Sequence, residues 1–72
     1  MPRYFFHVRN GHKTTYQDDV GRRLDDVQQA KIHADFVAEE FASDAGWAGY
    51  SVVIVDDHGN EIGSIEIGAT SR

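Results

Sequence analysis

Between residues 26 and 45 the apolar side chains recur at steps of three and four: Val27, Ala30, Ala34, Val37, Phe41 and Ala45. That spacing puts them on one face of an α-helix. Phe36 and Ala38 widen the stripe. Asp25 and Asp26 are both suited to cap its start, each followed three positions on by Gln28 or Gln29. Gly46 stands where a helix commonly ends on a left-handed glycine. The pattern predicts a helix over 26–44, and no other stretch of the 72 residues repeats with that period. One helix can cover only one face of a sheet, so the rest of the chain must be strands arranged around that limit.

The strands read as two hairpins. In residues 3–9, Tyr4, Phe6 and Val8 fall on one face, and Arg3, Phe5, His7 and Arg9 on the other. Asn10-Gly11 is the strongest short hairpin signal. A two-residue turn would set Arg9 opposite His12. A bulged turn sets Tyr4 opposite Tyr16 and Phe6 opposite Thr14, and is preferred because it gathers more apolar surface on one face. The return strand is expected over 13–17, ending at Asp18-Asp19 before a turn at Gly21. After the link Gly46-Trp47-Ala48-Gly49, residues 50–55 form a β-branched strand. A turn at Asp56-Asp57-His58-Gly59-Asn60 follows, with Gly59 left-handed, and residues 61–67 return. The tail 68–72 is expected to fray. The expected fold is α+β, ββαββ in order: a four-stranded antiparallel sheet of two hairpins with one helix packed on one face, as one domain over 1–72. Its core should hold Phe6, Val8, Leu24, Val27, Ala34, Val37, Phe41, Val52 and Ile54.

This arrangement leaves an apolar surplus. Val52, Val53, Ile54 and Val55 are apolar on both faces of their strand, and Phe5 points away from Phe6. The face opposite the helix therefore supplies a candidate interaction surface of Phe5, His7, Tyr16, Val53 and Val55. Large exposed apolar patches are uncommon on monomers, so the chain is expected to form a homodimer, through that face or an edge strand, or to bind another protein.

Charge and composition exclude several classes. The net charge of −5 argues against a general nucleic-acid binder. Residues 1–23 carry five basic against two acidic side chains, and residues 24–72 two against ten. The two halves thus attract, within one fold or between chains. Without cysteine, disulfides and thiolate metal sites are excluded. No apolar run approaches the length of a membrane span, and the first residues lack the layout of a secretory signal, so the chain reads as cytoplasmic with no membrane partner.

Nothing in the sequence assembles a reactive centre. His7, His12, His33 and His58 contain no i, i+4 pair of the kind a helical zinc site uses. His33 falls outside the apolar stripe and is expected in solvent, His58 lies in a turn, and His7 is expected half-buried and tied to a carboxylate or carbonyl. The pairs Asp18-Asp19, Asp25-Asp26 and Asp56-Asp57 suit turns and caps. No serine carries a nucleophile motif and no glycine segment has phosphate-loop form. The chain is expected to be non-catalytic, with no metal or cofactor. Tyr4, Phe5, Phe6 and Tyr16 beside Arg3 and Arg9 leave a single-stranded RNA platform, or an antitoxin-like regulatory module, as the alternative.

The opening Pro2-Arg3-Tyr4-Phe5-Phe6-His7, the spaced Asp19, Gly21, Leu24, Asp26 and Ala30, and the Val55–Ile62 hairpin resemble a family of small bacterial proteins classed only as a domain of unknown function. The resemblance runs from residue 2 to about residue 67. Asp25 departs from it, since many members carry Pro there, which leaves the capping residue open between Asp25 and Asp26. The resemblance implies a bacterial source and this architecture, and it brings no activity, cofactor or site residue. Together with the surplus face, it points to a small protein-interaction or adaptor module acting as a homo-oligomer.

Overall fold

A computed structural model describes residues 2–11 and 13–67, apart from the side chain of Ala45; His12 and the expected fraying of 68–72 lie outside the described residues. The fold is α+β, with one helix on a five-stranded sheet, one strand more than expected. Strands β1 (Arg3–Asn10), β2 (Lys13–Tyr16), β3 (Arg22–Arg23), β4 (Ser51–Val55) and β5 (Glu61–Glu66) surround α1 (Val27–Ala42), which a short 3-10 turn (Ala45–Trp47) follows. The main order is β2-β1-β4-β5, all antiparallel, with β3 also pairing to β1. The two hairpins therefore meet through β1 and β4 at the centre of the sheet.

The extra strand arises because β1 is twice the length of β2. Tyr16 reaches only as far as Val8. Beyond it the chain swings away and returns at Arg22–Arg23 to pair with Tyr4 and Arg3. The first hairpin takes neither expected register: Asn10 pairs with Lys13, Arg9 with Thr14 and Val8 with Tyr16, with an irregularity between Val8 and Arg9. Asn10 is thus a strand residue, and Gly11, at φ +64°, begins the turn. In the second hairpin Gly59 is left-handed as expected, at φ +87°.

Asp26 is the residue that caps α1. Its carboxylate accepts the Gln29 N–H at 2.9 Å, and its carbonyl accepts the Ala30 N–H at 3.1 Å. The helix ends at Ala42 with Ser43 in right-handed geometry, so Gly46 is not a left-handed terminator. Its N–H instead donates to the Asp44 carboxylate at 3.0 Å, within the 3-10 turn. Phe41, Trp47 and Tyr50 then stack edge to face in series, with centroids 4.8 and 5.1 Å apart. This fastens the helix exit to the start of β4.

The row facing the sheet is all alanine: Ala30, Ala34 and Ala38 are buried. Small side chains let α1 lie close over β4 and β5. Tyr4, Phe6, Val8, Val52, Ile54 and Ile67 complete the core, with Leu24, Val37 and Phe41 packed against it. Two expectations for the helix fail. Val27 is 41% exposed, and Phe36, expected to widen the buried stripe, is 63% exposed. Phe36 and Ile32 sit about 160° from the alanine row at 100° per residue, so they form a ridge on the side of α1 away from the sheet. No described helix is long and apolar enough to cross a membrane.

Candidate functional site

The expected interaction face holds together in part: Phe5, His7 and Val55 line one concavity of about 290 Å3, while Val53 and Tyr16 do not join it. Phe5, His7, Val53 and Val55 do share the sheet face away from α1, since β1 and β4 pair Phe5 with Val55 and His7 with Val53. Val53, however, is only 2% exposed within one chain. Its cover is an ion pair. Arg9 lies opposite Ser51 and Glu61 opposite Val55, so a bridge between them crosses β4 at the level of Val53. Both guanidinium nitrogens engage both carboxylate oxygens, at 3.2 and 3.3 Å. Phe5 is half-buried, its ring beside His7 and against Gly21. Tyr16 belongs to the other face, since it pairs with Val8, which points into the core under α1.

The gap between β2 and β3 is closed by Asp18. One carboxylate oxygen accepts the Val20 and Gly21 N–H groups at 3.1 and 3.0 Å, and the other accepts Phe6 N–H from β1 at 3.2 Å. The Asp18 N–H donates to Nδ1 of His7 at 3.0 Å. A side chain thus stands in where β1 has lost its ladder partner, as the rule that backbone donors be satisfied requires. His7 is tied down as expected, but by accepting a backbone amide rather than by bonding a carboxylate or carbonyl. Asp56 does similar work in the second hairpin, its carboxylate accepting the N–H groups of His58 and Asn60 at 2.9 and 2.8 Å. Each acidic pair therefore contributes one aspartate to a turn or a cap.

α1 lies over β4 and β5 and leaves the same face beside β2 open. A groove of about 280 Å3 runs there. Its floor is Phe6, one wall is the helix row His33, Val37 and Phe41, and Tyr16 stands across from that row. Asp18, Gly21 and Arg22 close one end. His33 is not in solvent as expected. It is half-buried and meets the Phe6 ring edge to face at 4.7 Å. The i, i+4 spacing of His33, Val37 and Phe41 is the signal that places it. Among the described residues, no group of three His, Cys, Asp or Glu side chains is placed to hold a metal.

The electrostatics of the groove are those of a folded device with an acid limit. Burial holds the His33 pKa below 6.5, and the charge of Arg22 adds to this, against Glu40 and Asp18. For Asp18, burial acts to raise the pKa, but the N–H groups of Gly21, Phe6 and Val20, with His7, outweigh it and leave it below 3.8. A depressed folded pKa means that the unfolded chain binds more protons, so stability is lost as pH falls. Two acid steps are expected in the unfolding free energy: one from His33 below 6.5 and one, shared by Asp18 and Asp56, below 3.8. His33→Gln should remove the first in urea titrations across pH. Asp18→Asn should reduce the second, leaving the part due to Asp56, and Asp18→Ala should cost about 1–2 kcal/mol at neutral pH, as loss of a comparable cap does. A wild-type curve flat from neutral pH down to the second step would refute the role given to His33.

A family model for a domain of unknown function, DUF6894, matches residues 3–68. The chain belongs to this family. No curated protein and no solved structure matches it. Membership agrees with the architecture that the opening hexapeptide implied, and it names no activity.

Proposed function

We propose that the domain is a non-catalytic, cytoplasmic protein-interaction module that works as a homodimer. The observation that carries this reading is the groove beside α1, a concavity of mixed polarity with aromatic side chains on its floor and both walls and Asp18 and Arg22 at one end. Aromatic-lined concavities are where protein partners anchor. The motive for association is on the helix side, where Phe36 and Tyr16 stand exposed, since on the opposite face Val53 is buried and Phe5, His7 and Val55, which line a concavity there, are each half-buried. Catalysis is poorly served: the groove is open, and the Asp18 carboxylate is committed to three backbone N–H groups. A base-stacking platform needs several exposed rings on one face, yet Tyr4 and Phe6 are buried, and Phe5 and Tyr16 lie on opposite faces of the sheet. Light scattering at two concentrations should give a mass that rises from 8.1 kDa toward twice that value. A mass fixed at that of one chain at millimolar concentration would overturn the reading.

A further inference from the structure

We infer that the groove is filled by Phe36 of a second copy of this chain, in a two-fold arrangement where each helix supplies its ridge to the other's groove. The inference rests on the homodimer reading above and names its interface. The ridge is apolar and unpartnered: Phe36 is 63% and Ile32 45% exposed. Across the groove from His33, Tyr16 is 54% exposed. A knob and a hole on the same protein suit an isologous contact when they lie side by side, because each copy then gives and receives the same residue. Here they do. His33 and Val37, in the groove wall, flank Phe36 on consecutive turns of one helix.

Charge favours a second copy over an unrelated occupant. Asp35, Glu39 and Glu40 surround Phe36 on the helix, while Arg22 lines the end of the groove, where its acidic neighbour Asp18 is already engaged by three backbone N–H groups. Asp35, Glu39, Glu40 and Arg22 have no ion-pair partner among the described residues. Bringing the acidic ridge of one copy to Arg22 of the other's groove sets opposite charges together on both sides of the axis, which orients the contact.

The test is sedimentation equilibrium on wild type, Phe36→Glu, Arg22→Glu and Ser64→Arg. Phe36, Arg22 and Ser64 are all exposed, so the circular dichroism and melting of the variants should match wild type. Phe36→Glu should weaken the dimer by roughly thirtyfold or more, as loss of an interface anchor does. Arg22→Glu should weaken it less, and added salt should abolish the difference between Arg22→Glu and wild type. Ser64→Arg, on the β5 edge, should change nothing. A dimer untouched by Phe36→Glu, or broken by Ser64→Arg instead, overturns this interface and leaves the homodimer reading standing. A wild type that stays monomeric removes both.

Discussion

Phe6→Ala should remove about half of the domain's stability, about 3–5 kcal/mol. Phe6 is 5% exposed and occupies the middle of β1, the strand that touches β2, β3 and β4. Phe-to-Ala changes in a core cost about 3–5 kcal/mol, from lost burial and from the cavity left behind. A domain of this length holds only roughly 4–10 kcal/mol in total. The ring also supports His33 edge to face and forms the floor of the groove. Its removal therefore opens the core and the candidate site together. Urea denaturation followed by Trp47 fluorescence gives the measurement. Phe6→Leu, which keeps most of the volume, should fold with a loss of about 1–2 kcal/mol, and its groove should lose affinity for the partner more than its stability falls. An alanine variant within 1 kcal/mol of wild type would mean that Phe6 is not a core residue.

The elements that carry their own period were legible in the sequence, and those set by distant contacts were not. The alanine-rich stripe located α1 to within two residues at either end, because 3.6-residue spacing and the Asp-x-x-Gln start are local facts. Both hairpins were legible from Gly11 and Gly59. β3 was not, since two arginines between Gly21 and Leu24 carry no strand signal and pair only because β1 outruns β2. The register at Asn10-Gly11 was missed for a related reason: the turn dipeptide speaks for itself, but Asp18 decides where the returning chain parts from β1. The cover over Val53 joins Arg9 to Glu61, 52 positions apart. No local pattern announces such a pair. Phe36 and His33 exchanged their expected places because periodicity gives the centre of a helix face, while the position of α1 over β4 and β5 decides which flank is covered.

Gly21→Ala should destabilise the domain by more than an alanine at any other left-handed glycine in the chain. Gly11, Gly21, Gly49 and Gly59 all have positive φ, at +64°, +74°, +92° and +87°. A side chain in that region costs about 1–2 kcal/mol in backbone strain alone. At Gly11, Gly49 and Gly59 an added Cβ would meet no atom within 4 Å. At Gly21 it would lie 2.8 and 2.9 Å from two carbons of the Phe5 ring and 2.9 Å from Cγ of Arg3. The ring cannot simply yield, because His7 lies beside it and the segment itself is held by Asp18. Moving residue 21 outward instead would stretch its N–H bond to Asp18 and draw that carboxylate from Phe6 N–H, so the clash reaches β1 by either route. Crowding of this kind adds about 1–3 kcal/mol to the strain. Gly11→Ala is the control, since it carries the strain without the clash. The difference between the two variants in urea midpoint isolates the close approach of Phe5. Equal midpoints would mean that nothing presses on Gly21, and that Phe5 is free to serve the sheet face it was first expected to expose.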